Sequence, residues 1–340
     1  MTAFIPQDRL DDTHIAAAGE ILRRGGLVVF PTETVYGLGA NALDAKAATK
    51  IYAAKGRPSD NPLIVHIAFP SDAEALAVTC DAYYKLADAF MPGPLTVILQ
   101  KKDVIPSATS GGLDTVGLRC PVNEIAHKLI LAAGVPIAAP SANLSGKPSP
   151  TRAEHIRADL DGKVDMILDG GECAVGVEST IVKLEKDGGA TLLRPGGITL
   201  EALERVLGRV KIADAVTGAL AEGARPLSPG MKYRHYAPRA PLTLLDGSDD
   251  KRIAYCQSAD KDTLLLVFEE EADLFSGHRT VSLGKKDDRR DQLHRLFAAL
   301  IEADAQQPNQ ILAPLPATDG LSLALYNRLI RAAAHHIQKL

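Results

Sequence analysis

The chain has 340 residues, 46% hydrophobic and 24% charged, a balance that excludes disorder as its main state and a length that points to two domains. Its 38 Lys+Arg against 42 Asp+Glu leave a net charge of -4, so no general basic surface exists to hold a polynucleotide by neutralising phosphates, and any such contact must be local. With no Trp and 4% aromatic residues, the stacking platforms of single-strand binders are poorly supplied.

Met1 to Asp12 lacks a basic segment followed by an apolar one. The longest mildly apolar stretch, Leu131 to Pro140, is broken by Gly134 and Pro136 and falls far short of the ~18 residues that span a bilayer. A cytoplasmic protein without a membrane partner is expected. Cys80, Cys120, Cys173 and Cys256 are scattered, with no C-x-x-C pair. This fits a reducing compartment, offers no zinc-ligand spacing and predicts four buried small hydrophobes.

Residues 1–207 carry short apolar runs of strand length at Leu27 to Phe30, Leu63 to Ala68, Leu95 to Leu99, Thr115 to Arg119, Val135 to Ala139, Val164 to Leu168, Val177 to Leu184 and Thr191 to Arg194. Helical stretches are predicted between them, over Thr13 to Arg24, Ala45 to Lys55, Asp72 to Phe90, Glu124 to Ala133 and Arg152 to Leu160. An α/β domain on a large twisted sheet follows, with its strand order left open. Residues 208–240 read as a linker: Arg225 to Pro241 holds four prolines and several cations, and no carboxylate occurs between Glu222 and Asp246. Residues 241–340 alternate strand runs, at Leu242 to Leu245, Thr263 to Phe268, Arg279 to Leu283 and Gln310 to Pro316, with helical segments. The apolar stripe Leu293, Leu296, Phe297, Leu300, Ile301 belongs to one of these helices. This is the pattern of a small Rossmann-like parallel α/β domain, but G-x-G-x-x-G is missing, so the shape alone implies no dinucleotide.

In the first domain, polar residues repeatedly follow a strand and a proline, as in Phe30-Pro31-Thr32-Glu33-Thr34, Arg119-Cys120-Pro121, Ala139-Pro140-Ser141-Ala142-Asn143 and Leu193-Arg194-Pro195-Gly196. The proline stops the ladder and hands the next side chains to a loop, so the four loops suggest a shared crevice. Lys55-Gly56-Arg57-Pro58-Ser59-Asp60-Asn61-Pro62 sets a guanidinium beside an ammonium, a pair suited to polyphosphate, although Lys55 alone would also fit a helix C-terminus. His66, inside a strand run, reads more readily as a satisfied structural histidine than as a catalyst, and the pattern alone does not single it out. Gly146-Lys147 resembles the end of a P-loop, but Ser141 and Pro148 stand where Gly and Ser/Thr are required. The patterns of serine hydrolases, zinc proteases and protein kinases do not occur.

Pro31-Thr-Glu-Thr-Val-Tyr-Gly-Leu-Gly39, Lys55 to His66, Pro92-Gly-Pro-Leu-Thr96, Pro140-Ser-Ala-Asn143 with Ser145-Gly146, Gly176-Val-Glu-Ser-Thr-Ile181, Leu193-Arg-Pro-Gly196 and Pro229 to Pro238 together resemble the threonylcarbamoyl-AMP synthase family, the YrdC-like proteins, in the long form with an additional C-terminal domain. The resemblance implies a YrdC-like twisted mixed sheet around a concave cationic cavity. It also implies a nucleotidyltransferase reaction, in which L-threonine, bicarbonate and ATP give L-threonylcarbamoyl-AMP and diphosphate. That product feeds threonylcarbamoyladenosine formation next to the anticodon of ANN-decoding tRNAs.

Carried over by position, the family's catalytic Lys-x-Arg and Ser-x-Asn elements fall on Lys55, Arg57, Ser141 and Asn143. Lys55, Ser59, Thr115, Ser141, Ser149, Arg194 and Arg234 would line the ATP pocket. Thr32, His66, Arg119, Ala139 through its backbone, and Ser179 would hold threonine. No dedicated metal ligands are assigned; Mg²⁺ would arrive on the ATP phosphates. Glu33 and Glu178 are outer contacts or structural carboxylates. The expected partners are ATP, L-threonine, bicarbonate, the tRNA threonylcarbamoyl-transferase proteins that take the intermediate, and a weak contact with tRNA. The linker, with Arg234, would close over bound ATP.

Two other readings compete. A double-stranded RNA-binding module could use a concave cationic surface, against which the near-neutral charge argues. Carbamoyl transfer for metal-centre maturation uses a related domain, in larger proteins with cysteine-rich zinc segments that this chain lacks.

Overall fold

The computed structural model describes residues 1–185, 188–218, 226–229 and 236–340. Eleven strands form the first sheet: β1 (Ala3–Ile5), β2 (Val28–Phe30), β3 (Gly37–Asn41), β4 (Ile64–His66), β5 (Leu95–Gln100), β6 (Thr115–Arg119), β7 (Ile137–Ala138), β8 (Met166–Leu168), β9 (Thr180–Leu184), β10 (Ala190–Arg194) and β11 (Lys211–Ile212). Their order is β1-β8-β2-β3-β7-β4-β6-β5-β9-β10-β11. The sheet is mixed: β4 and β6 run parallel, while β2 with β3 and β9 with β10 run antiparallel. Successive side chains of β2 divide between two cores, as a period of two requires. Val29 joins the helices Ala45–Lys55 and Asp81–Phe90 on one face, and Val28 and Phe30 join Asp12–Arg23 and Glu124–Ala133 on the other.

Three strands escape the apolar-run pattern. β1 and β11 are short, and β3 is disguised by its glycines. Phe30 lies across β3, where a Cβ on Gly39 would stand 2.8 Å from the Phe30 ring, so those glycines make room for a neighbouring aromatic. The predicted helix over Asp72 to Phe90 is two, Ala73–Leu76 and Asp81–Phe90. Between them Ala77 bridges to Lys101, and the Val78 amide donates to the Gln100 carbonyl at 2.9 Å. The β-branched Val-Thr pair there favours extended backbone.

Five strands, β12 (Leu242–Asp246), β13 (Thr263–Val267), β14 (Arg279–Ser282), β15 (Gln310–Pro314) and β16 (Ile337–Lys339), form a second sheet in the order β14-β13-β15-β12-β16. Every pairing in it is parallel, which gives the Rossmann-like layer expected from the alternation. The striped helix spans Arg289–Ala305 and buries Leu293, Leu296, Phe297 and Leu300. The next helix, Ser322–Ala332, is buried at every position except Tyr326, because one face covers its own sheet and the other docks on the first domain. Val35 and Val177 of that domain belong to the same apolar cluster. Close contact recurs at Gly176, whose φ is +81° and where a Cβ would fall 2.4 Å from the His294 backbone.

Cysteine placement departs from expectation at one position: Cys80 is exposed, whereas Cys120, Cys173 and Cys256 are buried. Cys80 precedes the helix Asp81–Phe90 at the surface break just described. Burial pushes the Cys120 and Cys256 thiols up to about 11 and Cys173 up to about 12. A thiol reagent at neutral pH should therefore label one cysteine per folded chain and four after unfolding. Rapid labelling of a second thiol in the native protein would contradict this arrangement.

Candidate active site

Strand ends bring the site together. β4 and β6 stop side by side with His66 opposite Arg119, Thr32 follows β2, Ala139 follows β7, and Arg194 closes β10. A bulge between Leu192 and Arg194 gives β10 one extra residue and pairs Arg194 with Ile181. Bulges of this kind bend a strand and re-aim its side chain. One cavity is lined by Thr32, Arg57, His66, Arg119, Ala139, Ser141, Ser179 and Arg194, together with Glu178, Pro229 and Tyr236.

Lys55 ends its helix, and Gly56 at φ 60° turns the chain there, a left-handed cap that costs a glycine little. The Lys55 ammonium is buried and donates to the carbonyls of Ser141 and Asn143. The Lys-x-Arg element thus directly organises the Ser-x-Asn element. Ser141 Oγ donates to Asn143 Oδ1 at 2.6 Å, and Asn143 Nδ2 donates to the Leu144 and Lys147 carbonyls at 2.8 and 2.9 Å. Burial, with Arg57 nearby, holds Lys55 well below the usual lysine range. Arg57 is buried too, donating to the Asn61 and Pro62 carbonyls at 3.3 and 3.1 Å, and burial brings it down to about 10.

Arg119 pairs with Glu33 at 2.7 Å and reaches Thr32 Oγ1 at 3.4 Å. Both charges are buried, yet Arg119 Nε has no hydrogen-bond partner. A buried guanidinium with an unused donor at a cavity wall is equipped to take an anion. Thr32 Oγ1 donates to the Val35 carbonyl at 2.7 Å, which fixes the loop after β2. His66 Nδ1 lies 3.2 Å from the Ile64 carbonyl. Burial, with Arg119 adjacent, holds His66 down to about 3, so it is neutral at ordinary pH. The unfolded chain takes up that proton near the ordinary value of 6.5. His66 therefore subtracts stability progressively as pH falls from there toward about 3.

Ser179 Oγ lies 2.8 Å from Thr96 Oγ1 and accepts from Arg194 Nη2 at 3.2 Å, while Arg194 Nε donates to the Ser179 carbonyl at 3.1 Å. The remaining expected residues lie further out. Thr115 lines an adjoining recess that shares Ile64 and Pro229 with the main cavity. Ser149 is fully buried behind the wall and donates to Glu178 Oε1 at 2.6 Å. Ser59 is exposed. Arg234 lies outside the described residues.

Sequence reasoning missed Arg328, from the helix Ser322–Ala332. It is fully buried and donates from Nε to Glu178 Oε2 at 2.9 Å and from Nη1 to the Pro195 carbonyl at 2.9 Å. It also missed Tyr236, which lines the cavity, sits 5.1 Å from the Phe297 ring and is faced by the Arg328 guanidinium at 5.7 Å.

A mixed sheet whose strand ends wall a recess with three arginines and several hydroxyls, backed by a buried lysine, is the build of an α/β enzyme that handles small anionic substrates. Residues 20–196 match the Sua5/YciO/YrdC family model, described as telomere recombination, and residues 198–334 match the threonylcarbamoyl-AMP synthase C-terminal domain. The chain is 44% identical to the threonylcarbamoyl-AMP synthase of Pyrococcus abyssi over 98% of each chain. It is 45% identical to that of Bacillus subtilis, over 96% of this chain and 95% of the relative. The crystal structure of P. abyssi Sua5 complexed with L-threonine superimposes with a TM-score of 0.89 at 44% identity, covering 100% of this chain and 99% of that one. The chain belongs to the threonylcarbamoyl-AMP synthase family.

Proposed function

We infer that this chain is a threonylcarbamoyl-AMP synthase acting as a nucleotidyltransferase: L-threonine, bicarbonate and ATP are converted to L-threonylcarbamoyl-AMP and diphosphate, for tRNA modification. The carrying observation is the convergence of Arg57, Arg119 and Arg194 on one cavity, with Lys55 behind it, in a chain of this family. The threonine nitrogen takes up the carboxyl carbon of bicarbonate with loss of water. An oxygen of the resulting carbamate attacks the α-phosphorus, and the bond to diphosphate breaks. No covalent enzyme nucleophile is needed; positioning and charge stabilisation suffice.

In this reading Arg119, with Thr32, Ala139 and Ser179 around it, receives the threonine carboxylate, and neutral His66 shapes that end. Arg57, Ser141 and Arg194 face the nucleotide, with Lys55 and Asn143 acting from behind the wall through the Ser-x-Asn loop and Thr115 and Ser149 supporting it. Ser59 reaches it only if its exposed segment folds inward. Among the described residues no three His, Cys, Asp or Glu side chains converge as metal ligands, and Glu33 and Glu178 are each held by an arginine. Mg²⁺ therefore suits this site as a companion of the phosphate oxygens rather than as a protein-held ion; it would offset charge on the leaving diphosphate. The cations face a recess rather than a surface track, which favours small substrates over duplex RNA. Among the described residues no helix is long and apolar enough to cross a membrane.

Diphosphate release, measured with each substrate omitted in turn, tests the reading. Release requiring ATP, threonine and bicarbonate together is expected. Release indifferent to threonine or bicarbonate would overturn it.

The linker is proposed to act as a lid. Gly230 to His235, Arg234 included, lies outside the described residues, but the flanking Pro229 and Tyr236 both border the cavity. The Ala237 amide donates to the Gly146 carbonyl at 2.9 Å, which ties the lid's far end beside the Ser-x-Asn loop. Such closure shields a labile mixed anhydride from water. ATP with threonine should then slow proteolysis between Gly230 and Pro238. Equal cleavage rates with and without substrates would leave the segment a plain tether.

A further inference from the structure

Glu178 presents a structural problem. Its carboxylate is buried at the cavity wall, and Arg194 lines the same cavity. Left to itself, a buried carboxylate would recruit the nearest guanidinium, and Arg194 is close enough to help hold it ionised. Yet no carboxylate contacts the Arg194 fork among the described residues. It donates to the carbonyl and hydroxyl of Ser179, and to the Pro229 carbonyl at 3.4 Å.

Arg328 from the other domain accounts for this. Its Nε donates to Glu178 Oε2 at 2.9 Å and its Nη2 to the Glu178 carbonyl at 3.3 Å. Ser149 takes Oε1 at 2.6 Å, so both carboxylate oxygens are engaged away from Arg194. The helix that carries Arg328 is fixed by its neighbours: Asn327 Nδ2 donates to the Val216 carbonyl at 2.6 Å, and Arg331 donates to the Ala215 carbonyl.

We propose that Arg328 is a positioning residue of the active site: by neutralising Glu178 from the C-terminal domain it keeps Arg194 available to the ATP phosphates. The second domain thereby supplies a charge that the cavity requires without touching substrate. This rests on the assignment of Arg194 to ATP.

The test uses the full chain and measures equilibrium binding of ATP and of threonine. Arg328→Gln should weaken ATP about 10-fold or more, the scale of losing a charge-assisted contact, and leave threonine within about threefold. Adding Glu178→Gln to Arg328→Gln should return ATP binding to within about threefold of the parent, because the uncompensated carboxylate is gone. A folded Arg328→Gln with undiminished ATP affinity would overturn the proposal. So would a double variant no better than the single one, since a merely structural staple would be weakened further by the second change. Should Arg328→Gln alone fail to fold, the double variant Arg328→Gln/Glu178→Gln carries the test: with no buried carboxylate left to compete for Arg194, ATP binding within about threefold of the parent is expected, and a tenfold loss in the folded double variant counts against the idea. Arg194→Gln separates the two levels. If it leaves ATP binding intact, the ATP assignment itself fails; if it weakens ATP while the Arg328 variants do not, only the positioning role fails.

Discussion

Lys55→Met should lower kcat/KM for ATP by about 10²–10³, the scale of removing one preorganised charge donor from a closed site. The thioether keeps most of the lysine's apolar stem, so the loss reports the ammonium. Two effects combine. The charge behind the cavity wall disappears, and the Ser141 and Asn143 carbonyls that it bridges lose their donor, which costs about 1–3 kcal/mol for an acceptor left buried and unpaired. A lower melting temperature should accompany the kinetic defect. Because burial holds this lysine well below its usual range, raising the pH discharges it sooner than a free lysine. Phosphate beside it would favour the charged form, so ATP binding should take up a proton wherever the free protein holds this lysine discharged. Wild-type kinetics in a folded Lys55→Met protein would remove Lys55 from the catalytic set.

Arg119→Ala should damage two separable properties. Glu33 loses its ion pair at 2.7 Å while remaining buried, a change that typically costs about 3–5 kcal/mol of stability. Threonine affinity should fall about 10 to 100-fold through loss of a charge-assisted fork to its carboxylate, with ATP affinity much less affected. Combining Arg119→Ala with Glu33→Gln distinguishes the effects: stability should largely return, and threonine affinity should not. Equal loss for both substrates, or recovery of threonine binding in the double variant, would place the carboxylate elsewhere.

The apolar runs made most strands legible, because strands buried on both faces read as continuous Val, Ile and Leu. Thr115 to Arg119 agrees residue for residue with β6, and Ala45 to Lys55 and Glu124 to Ala133 agree with their helices. β3 was hidden because its glycines answer to Phe30, a demand made by the neighbouring strand and invisible along the chain. The split of Asp72 to Phe90 follows from Val78 pairing with Gln100, another demand from outside the segment.

Within the site, the residues that follow strand-ending prolines could be grouped from sequence. Their actual bonding could not: Lys55 bridging Ser141 and Asn143 joins points 86 and 88 residues apart. Arg328 lies 150 residues from Glu178. On its helix, Asn327, Arg328 and Arg331 have the look of a solvated face. They are instead the polar side of a domain junction, with carbonyls of Ala215 and Val216 waiting opposite.

Gly176 bears on how the two domains can move. Where a side chain meets a side chain, rotamer changes let two surfaces creep past one another in small steps. At Gly176 backbone faces backbone, with no room for even a methyl group before His294, so that spot has no soft layer to absorb shear. The joint should behave like a latch, either seated or lifted clear, with few intermediate settings. An alanine at this position would act as a shim, holding the latch ajar without altering any residue that meets substrate.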